Sequence, residues 1–242
     1  MPGRRLDLDA RRGLGELLGT VFALFARHLG LFLGVTLIVV APVVLLVDGV
    51  WGKRLADGAD ANVPLGAGIA SFVLSAIVVP TLVTALFAVI LQRLGRADVP
   101  TMGEALDAAG ERVLPAVGAV ALYVLGVAAG LLALVLPGIY LAVRWYFAAQ
   151  AAVIDGLEPR AALARSGELV EGSWWRVFGL LLVAGVIFGL IGGGLQLAID
   201  ATGNGLLYVL LLIAEQTLVL SLTALFGTLL FFDLRARRMV LR

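Results

Sequence analysis

The chain is 242 residues long, 61% hydrophobic and 14% charged, with a formal net charge of +1, whereas soluble domains carry about 25% charged residues. A mean hydropathy of +1.05 excludes a water-soluble fold of this size, and the near-balanced charge argues against a nucleic-acid partner. There is no cysteine and one histidine, His28, which excludes disulfides, thiolate catalysis and zinc–thiolate or multi-histidine sites, so no metal and no cofactor is expected.

The first 28 residues carry Arg4, Arg5, Arg11, Arg12 and Arg27 with Asp7, Asp9 and Glu16 among them, and no Ala-x-Ala pattern closes the apolar run that follows. This is not a cleavable signal peptide. Within it Leu14, Leu17, Leu18, Val21, Leu24 and Phe25 recur at helical spacing, which predicts an amphipathic helix over Leu14–His28 along the inner interface. Six apolar runs follow, Leu29–Val47, Ala67–Leu91, Leu114–Leu136, Gly138–Ile154, Val177–Ile199 and Leu206–Phe232. A helix needs ~20 such residues to cross ~30 Å of hydrocarbon, and in lipid the backbone must satisfy itself within each segment.

The predicted fold class is therefore all-α: a polytopic helical membrane protein with six transmembrane helices and about three cytoplasmic interfacial amphipathic helices. It forms one membrane domain over 1–242: a cytoplasmic segment 1–28, the spans within 29–232 and a basic tail 233–242. Between spans three and four, Pro137 in "LPGIY" cannot continue the third helix but suits the first turn of the next, which predicts a tight hairpin. The other two interfacial helices are read in "TMGEALDAAGERV", where Thr101 and Glu104 make a capping box, and in "PRAALARSGELV", which Pro159 starts. Each interfacial helix precedes two spans, which suggests three degenerate units, roughly 14–93, 101–154 and 159–232.

Of the seventeen Lys and Arg residues outside the spans, fifteen lie on the side of the N-terminus and two, Lys53 and Arg54, on the other. The positive-inside rule then puts both termini in the cytoplasm.

The eighteenth basic residue, Arg144, lies inside the fourth span, about 9 Å from its outer start, and Glu215 lies about 13 Å into the sixth at 1.5 Å per residue. An isolated charge there costs ~3 kcal/mol or more, so pairing or a wet cavity is expected. Arg144, Glu215, Gln150 and Gln196 form the candidate intramembrane polar site, which could serve as an anion site, a proton relay or an ion pair that fixes packing. Gly185, Gly189 and Gly193 recur every fourth residue, as do Gly126 and Gly130. Such stripes let helices approach closely, within one subunit or across a homo-oligomer face. Trp174 and Trp175 precede Arg176 where an aromatic belt belongs, and the arginine-rich ends suit anionic lipid head groups of the bilayer.

Residues 136–182, "LPGIYLAVRWYFAAQAAVIDGLEPRAALARSGELVEGSWWRVFGLLL", and 231–238, "FFDLRARR", together with the start "RRGLGELLGTVFALFARHLGLFLGV", resemble the bacterial glycerophosphoryl diester phosphodiesterase membrane domain family. The resemblance implies six helices with interfacial helices in a bacterial cytoplasmic membrane, and puts Arg144, Ser166, Trp175 and Asp233 at motif positions without assigning them roles. The resembled enzymes catalyse in a separate soluble barrel with histidines and carboxylates on a metal, for which this chain has no segment. The expectation is a non-enzymatic scaffold, lipid-interacting module or partner subunit; the alternative is a small transporter or exporter with Arg144 and Glu215 in its pathway.

Overall fold

A computed structural model describes residue 8 and residues 11–56, 65–96, 98–201 and 205–239. Arg4, Arg5, Arg242 and the predicted outer-loop positions Asp57 and Gly203 lie outside the described residues, as do the side chains of Lys53 and Arg54.

Among the described residues every regular element is helical: α1 (Leu14–Arg27), α2 (Leu29–Ala56), α3 (Leu65–Val73), a π-helical turn (Leu74–Val78), α4 (Val79–Gly95), α5 (Met102–Ala133), α6 (Val135–Arg144), α7 (Ala148–Ile154), α8 (Pro159–Val170), α9 (Trp174–Asp200) and α10 (Leu206–Met239). Five helical stretches among the described residues are long and apolar enough to cross a membrane: Leu29–Val47, Gly66–Gly95, Met102–Ala133, Trp174–Asp200 and Leu206–Met239. Their outward faces carry exposed large leucines, Leu132 at 89% among them, with Leu114, Leu190 and Leu197. A continuous apolar exterior of this kind belongs against lipid. The protein is a helical membrane protein.

Three sequence expectations change in detail. The segment Gly138–Ile154 is not one helix but α6 and α7, parted by a turn at 145–147. The predicted second interfacial helix is continuous with the third span in α5, Pro115 being accommodated inside the helix. The hairpin turns on one extended residue, Leu134 (φ −164°, ψ 148°), which caps α5 and opens α6. Gly130 and Gly138 make that hairpin possible, because a Cβ on Gly130 would stand 3.0 Å from the Gly138 Cα. The small-residue stripe of α5 is thus used within the chain, and a Cβ on Gly126 would meet the Trp145 ring at 2.4 Å. Gly185, Gly189 and Gly193 of α9 differ: a Cβ there meets nothing within 4 Å.

Thr101 caps α5 as its sequence suggests, its hydroxyl accepting from the Glu104 N–H while the Glu104 carboxylate accepts from the Thr101 N–H at 2.9 Å. Two left-handed glycines, Gly156 (φ 65°) and Gly172 (φ 72°), reverse the chain after α7 and after α8, a conformation that costs glycine nothing. The core runs through α4, α7 and α10, where Phe32 stacks on Phe87 at 4.8 Å and Phe147 meets Phe231. α1 buries Leu17, Val21, Leu24 and Phe25 and leaves Glu16 and Arg27 exposed.

Candidate functional site

The four polar residues singled out from the sequence go to four different places. Arg144 ends α6. Its Nη1 donates to the Tyr140 hydroxyl at 2.8 Å, its guanidinium lies 5.8 Å from the Tyr140 ring centroid, and it packs over Gly167 of α8, where a Cβ would stand 3.1 Å from Nε. Glu215 faces α9 instead, with Oε1 2.9 Å from the Cβ position on Gly192. Gln196 donates to Asp200 at 2.9 Å on the exposed side of α9. Gln150 is buried between α7 and α10, its Nε2 3.2 Å from the Cβ position on Gly227.

Arg144 and Glu215 form no ion pair among the described residues. The depths expected of them are counted along their own helices, but the two side chains face different neighbours, Gly167 of α8 for Arg144 and Gly192 of α9 for Glu215. One turn before Arg144, the Tyr140 carbonyl accepts from Trp174 Nε1 at 3.3 Å, at the very start of α9. Gly192 lies eighteen residues further along α9, about 27 Å at 1.5 Å per residue.

What breaks the helix at Arg144 is α8. The Phe147 N–H donates to Ser166 Oγ at 3.1 Å, and Ser166 Oγ donates to the Arg144 carbonyl at 2.9 Å. One hydroxyl thereby satisfies a donor and an acceptor that an interrupted α-helix leaves without partners. Ala148 N–H closes the turn on the Trp145 carbonyl at 3.0 Å.

Around Arg144 the surface is aromatic. Tyr140 stacks on Trp174 at 6.0 Å, Trp174 stacks on Phe178 at 5.2 Å, and Trp175 packs edge-on to Trp174 with 78% of its own surface exposed. Several other described arginines at this end of the bundle find partners. Arg176 and Arg237 both donate to Asp233 at 2.9 Å, and Arg165 and Arg235 share Asp155 at 3.2 and 3.1 Å. Arg112 donates to the Val153 carbonyl at 2.6 Å, and Arg238 donates to that of Glu171. Arg144 makes no ion pair with any described carboxylate. A half-buried cation beside Tyr140, which stacks in turn on Trp174, can take an anion from outside the protein.

Asp233, wholly buried, also accepts from the Arg12 backbone N–H at 2.6 Å, while the Arg12 carbonyl accepts from Arg176 and Arg237 at 2.8 and 2.9 Å. Three chain segments meet on this one carboxylate. Among the described residues no group of three His, Cys, Asp or Glu side chains could hold a metal ion.

Sequence reasoning named Ser166 and Asp233 by resemblance without a role, and overlooked Tyr140. Tyr140 could have been found, because it lies four residues before Arg144 and so on the same helix face. No curated protein and no solved structure matches the chain. The family comparison does match, from the capping threonine of α5 to the buried aspartate of α10: residues 101–233 fit the family described as a domain of unknown function, DUF7847, and the chain belongs to that family.

Proposed function

We propose that this chain is a non-enzymatic, lipid-interacting membrane module, and that Arg144 receives the phosphate of an anionic phospholipid from the cytoplasmic leaflet. The observation that carries the reading is Arg144 itself, a half-buried guanidinium with no acidic partner among the described residues, bonded to Tyr140, whose ring stacks on Trp174 next to the exposed Trp175. Arginine binds phosphate oxygens in a bidentate fork, and tryptophan and tyrosine favour the head-group level.

The reading takes the chain to cross the membrane six times, with both ends in the cytoplasm of a bacterial cell. The fourth crossing is then α6 and α7 together, 20 residues over 135–154, enough for ~30 Å. Arg144 at the break reaches the head group by snorkelling and local thinning of the bilayer. α1 and α8 lie at the inner interface in this scheme. The basic asymmetry supports the orientation, and a kinship with glycerophosphoryl diester phosphodiesterase membrane domains is part of the proposal. A transport pathway through Arg144 and Glu215 has less behind it, since their side chains face different helices.

The test is native mass spectrometry of the purified protein offered phosphatidylglycerol, phosphatidylcholine or inorganic phosphate. Phosphatidylglycerol should be retained in preference to phosphatidylcholine, and Arg144→Leu should abolish the preference. Retention equal for both lipids, or a preference that survives Arg144→Leu, overturns the reading; capture of inorganic phosphate alone makes the site a soluble-anion site.

A further inference from the structure

A second polar constellation lies away from Arg144. The π-helical turn, α4, α5, the start of α7 and α10 enclose a cavity of about 210 Å³. Its lining comes from the central part of each long helix: Ala76 and Thr84 within Gly66–Gly95, Tyr123 within Met102–Ala133, and Thr223 within Leu206–Met239. Ala76 is exposed on the outside of the bundle, so the space opens sideways, where the surroundings are hydrocarbon.

The lining is mostly apolar and bears no charged side chain. Four of its polar groups are unused. Gln150 is 4% exposed, its amide oxygen is wholly buried with no hydrogen-bond partner, and the Thr84, Tyr123 and Tyr146 hydroxyls make no hydrogen bond within the described structure. Buried polar groups are nearly always satisfied, so the buried Gln150 oxygen, with three unbonded hydroxyls around the same space, calls for a partner within that space. The backbone is also irregular here: a π-turn forms one wall and the α6–α7 turn brings Trp145 and Tyr146 to another. Such interruptions recur at sites inside membrane bundles.

We infer that the cavity between the π-helical turn, α5, α7 and α10 binds an uncharged hydroxyl-bearing ligand through Gln150, Tyr123, Tyr146 and Thr84. The absence of charge on the wall disfavours an ion, whose hydration would be lost without compensation. A hydroxyl both gives and takes a hydrogen bond. It can therefore match the Gln150 amide in either orientation and the phenols as well, while an attached hydrocarbon part lies on the apolar wall and leaves past Ala76. The hydroxyl could arrive on a neutral lipid from the bilayer or on a small alcohol from water, and the chemistry of recognition is the same.

The probe is a diazirine derivative of octanol, photoactivated with the whole protein in lipid nanodiscs, the labelled residues being located by peptide mass spectrometry. Labelling should saturate and fall on lining residues such as Tyr123, Trp145 and Tyr146. Octanol should compete for it, whereas octane and octanoate should not. Competition by diacylglycerol built into the nanodisc identifies a lipid source, and competition by propanol alone identifies an aqueous one. Gln150→Leu should weaken half-saturation at least tenfold. Tyr123→Phe and Tyr146→Phe, which keep the rings, should each weaken it several-fold and decide the matter if Gln150→Leu fails to fold. Labelling that never saturates, that octane displaces as well as octanol, or that survives removal of these groups unchanged means the cavity holds only water, and overturns the inference.

Discussion

Asp233 of α10 lies 2.9 Å from the Arg176 guanidinium of α9 although its own side chain is 0% exposed and that of Arg176 is 31% exposed. The carboxylate is sealed in while its counter-charges reach the surface. Removing one partner of a buried pair leaves uncompensated charge, typically a loss of about 3–5 kcal/mol. Asp233→Asn should therefore lower thermal stability in detergent sharply. Asp155→Asn, which breaks a more exposed pair, should cost about 1 kcal/mol. Equal losses would mean that burial does not separate the two acids.

Ser166→Ala deletes the hydroxyl that serves both Phe147 N–H and the Arg144 carbonyl. An unsatisfied buried backbone group costs about 1–3 kcal/mol, so destabilisation near the top of that range is expected. Hydrogen exchange at the Phe147 amide should accelerate in step. An exchange rate equal to wild type would show that the turn does not depend on α8.

Arg144→Leu and Glu215→Leu should be additive in a double-mutant cycle, within about 0.5 kcal/mol, because the two sites share no partner. Strong coupling, with the double mutant recovering the loss of either single change, would show that the charges meet in the membrane after all.

Glycine-to-alanine substitutions should separate the two stripes. At Gly126 a Cβ would collide with the Trp145 ring, so Gly126→Ala should destabilise by about 1–3 kcal/mol through overpacking. At Gly189 the space is open, and alanine should be neutral or stabilise by up to about 1 kcal/mol through helix propensity. If Gly189→Ala weakens the protein only at concentrations where it self-associates, α9 carries a contact between copies.

With no native cysteine, single cysteines can map the sides of the membrane. One at Gly203 should react with an impermeant maleimide from outside intact cells, and one at Ala108 should not. Labelling at Ala108 would reverse the orientation.

The features legible in the sequence were those with local causes. α1 and α8 begin and end within a residue of their predicted limits because apolar spacing and Pro159 act on neighbours, and the Thr101–Glu104 box needs only four residues to form. The break after Arg144 could not be read this way. Its cause, Ser166, stands 22 residues away from Arg144 and acts through tertiary contact. Pairing Arg144 with Glu215 was out of reach for a related reason, since counting residues along each helix does not say which neighbouring helix a side chain faces. Nor did composition betray the cavity. Thr84, Tyr123 and Tyr146 have no shared period, and only the packing of α4, α5 and α7 assembles them around Gln150.

The bond from the Arg12 N–H to Asp233 spans 221 positions of the chain, and this sets an order on biosynthesis. Translation delivers residues at roughly 5–20 per second, so the N-terminal segment waits on the order of ten seconds or more before its carboxylate exists. Throughout that interval the apolar face of α1 has no α10 to rest on and must be sheltered by the membrane surface or by the insertion machinery. Arg12 is therefore fastened only after α10 has been made.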